Sequence, residues 1–195
     1  MRRLFLLLFG FCLAAAASGQ TAHQRLLAGQ NESIVPRYVL QDPRGRAVSN
    51  DDFRGRFQLI AFGYTFCPDI CPTTLVDMAA VLARLGDKAA RLQAIFITVD
   101  PERDSGEVLQ TYTAFFDRRI LGLTGPPALI RRAADNFRIR YAKVIDAGNA
   151  PENYAVDHSA GMILLGPDGG FIEKFAYATP VDTLVDALSP LLATP

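Results

Sequence analysis

The sequence has no excess of charge of either sign. Its 195 residues include 20 lysines and arginines against 20 aspartates and glutamates, so no electrostatic argument favours binding to nucleic acid. It also has no internal repeat and no low-complexity tract. Half of the residues are hydrophobic, which excludes a disordered composition, and the length predicts a single domain around one packed core.

The sequence also has no apolar run of the ~20 residues that span a bilayer comfortably. Residues 4–17 form a shorter run, which follows Arg2 and Arg3 and precedes small residues. This pattern is typical of a secretory signal peptide. We predict that residues 1–19 direct export to the periplasm, with cleavage favoured over retention as an inner-membrane anchor. Residues 20–36 are predicted to be a flexible lead-in.

Cysteine is scarce, and only Cys12, Cys67 and Cys71 are present. Cys12 lies within the predicted signal, so the exported domain keeps one pair and cannot hold a four-thiolate cluster within one chain. A disulfide between Cys67 and Cys71 would close a very small loop and stabilise the fold little, because its entropic benefit grows with loop length. The pair is therefore predicted to be chemically active, as a dithiol, a disulfide or a metal site.

Strand and helix patterns alternate along the chain. Apolar runs at residues 57–64 and 92–99 predict strands buried on both faces. A turn at residues 166–170 predicts a hairpin near the C-terminus. This order predicts an α/β fold with a central mixed sheet covered by helices on both faces. The other predicted elements are strands at 37–41, 120–123, 141–145, 162–165 and 171–175, a helix at 72–85, helices opened by Asp104, by Pro126 or Pro127 and by Thr179, and a polar loop at 146–157.

The cysteine pair follows the predicted strand at residues 57–64. Cys67 and Cys71 thus lie at the carboxyl end of a strand, where open α/β sheets bind ligands. They also lie near a helix N-terminus, whose dipole favours the thiolate. Residues four apart in a helical turn share a face, so the two sulfurs could bind one soft metal ion or join as a disulfide. Thiolate ligands select Cu(I), Zn(II) or iron–sulfur clusters.

A third metal ligand has to come from elsewhere, and histidine is scarcer still. His23 falls in the predicted lead-in, whereas His158 lies between the polar loop and the predicted strand at residue 162. A loop histidine on its own is more often bonded to backbone, but beside a cysteine pair on this fold metal ligation is the better interpretation. Asp157 either orients the imidazole of His158, caps a strand or is solvated.

Together these motifs resemble the Sco/SenC family, copper proteins that assist assembly of the dinuclear copper centre in cytochrome c oxidase. The resemblance covers about residue 37 to the C-terminus. The matching motifs are Phe62-Gly63-Tyr64-Thr65 with Cys67-Pro68-Asp69-Ile70-Cys71-Pro72, Val99-Asp100-Pro101-Glu102-Arg103-Asp104, Asp157-His158-Ser159 and Leu164-Leu165-Gly166-Pro167-Asp168-Gly169. Within the second motif, we expect Arg103 to form a surface ion pair of little energetic weight.

The resemblance implies a thioredoxin-like fold for residues 37–195, with an added loop at 146–157. It implies one copper ion, Cu(I) or Cu(II), bound by the residues that match Cys67, Cys71 and His158. The implied partners are the oxidase subunit that carries the dinuclear copper centre, and other copper chaperones or thiol reductants. Membrane contact is expected only through a retained N-terminal anchor, which many family members keep.

Two functions remain open from the residues themselves. The first is a copper metallochaperone, which binds and transfers the ion rather than acting as an enzyme in the strict sense. The second is a thiol–disulfide oxidoreductase in which Cys67 and Cys71 attack and resolve, although a C-x-x-C spacing would favour it more clearly. A peroxiredoxin-type enzyme is disfavoured, because Tyr64 stands where such enzymes place Thr or Ser.

Overall fold

The computed structural model describes residues 35–145 and 154–193. The predicted signal, His23, nearly all of the predicted lead-in and most of the predicted loop at 146–157 lie outside the described residues. None of the helices in the described part combines the length and the hydropathy that crossing a membrane requires.

Within the described residues the chain forms nine strands and four α-helices. In chain order they are β1 (Val39–Gln41), β2 (Ala47–Ser49), β3 (Phe57–Gly63), α1 (Ile70–Leu85), β4 (Leu92–Thr98), α2 (Gly106–Phe116), β5 (Ile120–Leu123), α3 (Pro127–Asn136), β6 (Tyr141–Val144), β7 (Ala155–His158), β8 (Met162–Leu165), β9 (Phe171–Phe175) and α4 (Val181–Ala193). Short 3-10 helices cover Asn50–Phe53 and Gly86–Arg91.

The centre of the fold is a mixed sheet of five strands in the order β5-β4-β3-β8-β9. The β3–β4 and β4–β5 pairs are parallel, and β8 is antiparallel to both β3 and β9. Every residue of β3 is buried, which explains why its sequence is almost continuously apolar. The predicted mixed sheet is confirmed, and the five core strands agree with their predicted ranges to within one residue.

Helices cover both faces of this sheet, as predicted. On one face, the ring of Phe96 in β4 lies 6.0 Å from the ring of Tyr112 in α2, and Gly63 of β3 packs against α1. On the other face, the ring of Phe62 lies 5.5 Å from the ring of Phe137, which directly follows α3. Because successive side chains of a strand point to opposite faces, Phe62 and Gly63 mark the two sides of β3.

The helix starts differ from the prediction in detail. The first turn of α1 begins at residue 70 rather than 72. Ser105, not Asp104, caps α2, because its hydroxyl accepts a hydrogen bond from the N–H of Val108. Thr179 does not cap α4, and its hydroxyl donates instead to the carbonyl of Ala176. Asp104 does not cap α2 because its carboxylate points into the protein, where it holds the turn that carries Cys67.

Candidate metal centre

The cysteines lie at the junction of β3 and α1. Cys67 is in the connecting turn, and its N–H donates to the carbonyl of Tyr64 over 3.3 Å. Cys71 is in the first turn of α1, and its N–H donates to Sγ of Cys67 over 3.5 Å. One of the amides that a helix N-terminus leaves without an intrahelical partner thus contacts the first sulfur. Neither sulfur is in a disulfide.

His158 reaches this junction from another part of the fold. It ends β7, where it pairs with Tyr141 of β6, although the sequence predicted a loop at this position. Its Nε2 lies 3.3 Å from Sγ of Cys71. The donor atoms of Cys67, Cys71 and His158 all lie within 4.8 Å of one another. The structure therefore brings the three predicted side chains together, and their role as metal ligands stays a prediction.

A backbone carbonyl fixes the tautomer of His158. Its Nδ1 lies 3.1 Å from the carbonyl oxygen of Ser159. Since a carbonyl can only accept, Nδ1 carries the proton, and Nε2 presents its lone pair towards Cys71. The side chain of Asp157 is exposed, and the carbonyl of Ser159 orients the ring in its place.

Burial sets the protonation states of this site. Cys71 is 2% exposed, and burial raises the pKa of its thiol far above the ordinary value. The helix N-terminus was expected to favour the thiolate, but at Cys71 desolvation outweighs that effect. Burial also lowers the pKa of His158, so its imidazole is neutral at pH 7. Two sulfurs and a neutral imidazole nitrogen form a donor set that fits a soft ion such as Cu(I).

Gly63 makes room for the second sulfur. A Cβ at this position would lie 2.7 Å from Sγ of Cys71 and 2.8 Å from the ring of Phe96, and both distances are too short for real contacts. The close approach of α1 to β3 therefore requires glycine at residue 63. Sequence reasoning missed this role, although a glycine at the end of a buried strand, four residues before a cysteine, is a usable signal.

Asp104 holds the turn that carries Cys67. Its buried carboxylate accepts hydrogen bonds from the N–H and hydroxyl of Thr65, at 3.1 and 2.6 Å, and from the hydroxyl of Thr98 at 2.7 Å. Burial raises the pKa of Asp104, although these hydrogen bonds act to lower it. The prediction of Asp104 as a helix cap was wrong, because two donors of Thr65 in the turn after β3 and the hydroxyl of Thr98 at the end of β4 satisfy its carboxylate inside the protein.

Arg103 also departs from its predicted surface role. Its Nε lies 2.5 Å from Oδ2 of Asp100, whose side chain is fully buried, and its own side chain is only 19% exposed. The phenol of Tyr154 donates to the other oxygen of Asp100 over 2.8 Å. These contacts join the segment after β4 to the segment that leads into β7. No sequence pattern at Arg103 signals such a tertiary role.

Comparisons with known proteins agree with this architecture. A family model described as SCO1/SenC matches residues 28–193. The human mitochondrial protein SCO2 homolog is 36% identical over 193 residues, which span 93% of this chain and 71% of that protein. Bradyrhizobium japonicum ScoI with copper bound is 36% identical, with a TM-score of 0.73 over 82% of this chain and 99% of that one. Yeast Sco1 with copper bound is 32% identical, with a TM-score of 0.74 over 84% of this chain and 90% of that one.

The family match covers the central sheet, the covering helices and the three converging side chains. The sheet order and the helices on both faces are those of a thioredoxin-like fold, as the sequence predicted. The chain belongs to the SCO1/SenC family.

Proposed function

We propose that this chain is a copper metallochaperone, which binds one copper ion through Cys67, Cys71 and His158 and passes it to another protein. The observation that carries the proposal is the convergence of their donor atoms within 4.8 Å. The solved relatives from Bradyrhizobium japonicum and yeast, which hold copper, support the choice of metal. The thiolates favour Cu(I), and the imidazole also suits Cu(II).

The exposure of the three side chains suits transfer of the ion. Cys71 is buried, whereas Cys67 and His158 are half-buried at the opening of the site. A ligand from a partner protein therefore approaches past Cys67 and His158. His158 can leave as a neutral ligand without taking up a proton, because burial lowers its pKa. The cysteines keep the copper ion bound until ligands of the partner protein replace them.

The proposed recipient is the oxidase subunit that carries the dinuclear copper centre of cytochrome c oxidase. This part of the proposal rests on the family's association with assembly of that oxidase. It includes a second role, in which this chain reduces the cysteines of the recipient. The signal-like pattern at residues 1–19 supports export to the periplasm, with or without a retained inner-membrane anchor. Other copper chaperones or thiol reductants would load the site or reduce its cysteines.

The alternative function is thiol–disulfide exchange. It is favoured by the unequal exposure of the pair, since half-buried Cys67 is placed to attack and buried Cys71 to resolve. The thiolate of Cys67 would attack a partner disulfide and release one partner thiolate. Cys71 would then displace the second partner thiol from Cys67, leaving the chain oxidised and the partner reduced by two electrons. His158 has no required part in this exchange.

Metal analysis separates the two functions. The exported protein is loaded anaerobically with Cu(I), desalted and analysed as wild type, His158→Ala and the double variant Cys67→Ser with Cys71→Ser. We expect one copper per wild-type chain, a large loss in His158→Ala and none in the double variant. Asp157→Asn is the matched control, because its exposed side chain lies next to His158 but outside the donor set, and it should keep one copper. Full retention of copper by the cysteine double variant would contradict the proposed site.

A further inference from the structure

The side chain of Arg103 packs where the two segments that carry the proposed ligands meet. Its guanidinium carbon lies 3.7 Å from the ring centroid of Tyr154 and 4.8 Å from that of Phe66. Phe66 directly precedes Cys67, and Tyr154 directly precedes β7, which ends at His158. One cation therefore contacts the neighbour of a cysteine and the start of the histidine strand.

A buried carboxylate fixes the position of this guanidinium. Asp100 accepts from Nε of Arg103 at 2.5 Å with one oxygen and from the phenol of Tyr154 at 2.8 Å with the other. Arg103 also donates from Nη1 to the backbone carbonyl of Tyr154 over 3.0 Å. The side chain and the backbone of Tyr154 are thus both attached to the segment after β4. Charge-assisted hydrogen bonds of this kind specify geometry as well as contributing energy.

The strand that carries His158 needs such attachments. β6 and β7 form a two-stranded sheet of their own, and the described residues show no strand pairing between it and the five-stranded sheet. Side-chain contacts therefore hold β7 against the body of the fold. Besides the Arg103 contacts, Val156 of β7 is buried in the core. Lys143 of β6 also pairs with Glu102 over 2.5 Å, but both of those side chains are well exposed and such pairs contribute little.

We infer that Arg103 is a positioning residue for His158. By clamping Tyr154, it sets the place of β7 and keeps Nε2 of His158 within reach of the cysteine sulfurs. The inference rests on the proposed function, because it concerns the geometry of the proposed copper site. It predicts that loss of Arg103 weakens copper binding through His158 and not through the cysteines.

A double-mutant cycle tests this inference. Cu(I) affinity is measured anaerobically, by competition with a chromophoric Cu(I) chelator, for Arg103→Gln in the wild-type and in the His158→Ala backgrounds. We expect about a tenfold loss in the wild-type background, in the range typical of residues that orient metal ligands. We expect less than about a twofold change in the His158→Ala background, because the imidazole through which Arg103 acts is already gone.

Arg119→Gln is the matched control. Arg119 also pairs with an aspartate, Asp117, and donates to a backbone carbonyl, that of Leu82, but it lies away from the cysteine junction. It should leave Cu(I) affinity unchanged. Because Arg103→Gln leaves Asp100 buried without its cation, the paired variant Asp100→Asn with Arg103→Gln removes both charges and is measured in the same cycle.

Two variants of Tyr154 give an independent measurement. Tyr154→Phe keeps the ring beneath the guanidinium and should retain the affinity to within about twofold, whereas Tyr154→Ala should reproduce the loss of Arg103→Gln. An equal loss in both backgrounds, or no loss in the wild-type background, would overturn the inference while leaving the proposed ligands intact. Unchanged affinity in His158→Ala alone would overturn the ligand set and the inference together.

Discussion

Nε2 of His158 lies 3.3 Å from Sγ of Cys71, although 87 residues separate them in the sequence. The contact depends on the order of the strands, because β8, which follows β7 closely in the chain, lies beside β3 in the sheet. The ring of Tyr64 supports the imidazole from the side at 5.9 Å, in an edge-on arrangement. The position of the sulfur and the orientation of the ring are therefore separate features, and each can be perturbed by a single substitution.

Replacement of Gly63 by alanine should weaken both the fold and the site. The new methyl group overlaps Sγ of Cys71 and the ring of Phe96, so we expect destabilisation of about 1–3 kcal/mol and a lower Cu(I) affinity. Gly122→Ala is the matched control, because its Cβ would lie 2.9 Å from Cβ of Leu109, away from the cysteines. It should lose stability but keep its affinity. Urea unfolding and chelator competition measure the two effects, and equal affinities of the two variants would contradict this account of Gly63.

Asp104 should make the protein less stable as pH rises. Burial raises its folded pKa, so between the unfolded value of about 4 and the folded value the native state holds a proton that the unfolded state has released. Its favourable contribution is complete below pH 4 and is lost as pH rises through the folded pKa. Asp104→Asn cannot titrate, so the stability of wild type relative to this variant should fall with rising pH in urea unfolding.

Asp117 is the control for Asp104, because its contribution to stability should change with pH in the opposite direction. Hydrogen bonds from Arg119 lower the pKa of Asp117, so its contribution is present above pH 4 and is lost as pH falls through its folded pKa. The stability of wild type relative to Asp117→Asn should therefore rise with pH. A rise with pH for Asp104 as well would show that its carboxylate is stabilised, not strained, by its surroundings.

Copper binding at pH 7.5 should release a proton from Cys71. Burial raises the pKa of this thiol, so the proton has to leave before the sulfur can bind the metal. Titration calorimetry in two buffers of different ionisation enthalpy counts the released protons. Cys71→Ser should release about one proton fewer than wild type. His158→Ala should release the same number as wild type at its own saturation, because the imidazole is already neutral, and a smaller number would contradict that assignment.

Copper loading should require the reduced dithiol. A disulfide between Cys67 and Cys71 removes both thiolate ligands at once, so diamide-treated protein should take up no Cu(I) and dithiothreitol should restore uptake. Equal anaerobic uptake before and after diamide treatment would show that the sulfurs are not ligands. Cys71→Ser with Cys67 intact serves as the control. It cannot form the intramolecular disulfide, so diamide cannot lower its weaker Cu(I) uptake by that route.

Much of the fold was predictable because its signals are local. The apolar runs of β3 and β4 and the turn before β9 gave strands in the right places, and the cysteine spacing indicated a metal or redox site. The first hairpin, β1 with β2, was only half predicted, and β7 was missed. Both β2 and β7 are short and partly exposed, so their sequences lack the apolar pattern that marks a buried strand.

The surroundings of the site were not predictable from local patterns. No spacing rule connects His158 to Cys71. His158 entered the predicted site because a third ligand was needed and histidine is scarce, and the family resemblance implied the same residue. Asp104 and Arg103 resemble a helix cap and a surface charge in the sequence, but their partners come from distant segments, Thr65 and Tyr154. Residues whose role depends on tertiary contacts carry no periodic signal.

X-ray absorption at the copper edge tests the central claim most directly, because it identifies the atoms bound to the metal. Wild-type protein loaded with one Cu(I) should show two sulfur ligands and one imidazole nitrogen, from Cys67, Cys71 and His158. His158→Ala should keep the two sulfurs and lose the imidazole scattering. Imidazole scattering that persists in His158→Ala, or a wild-type spectrum without two sulfurs, would contradict the proposed copper site.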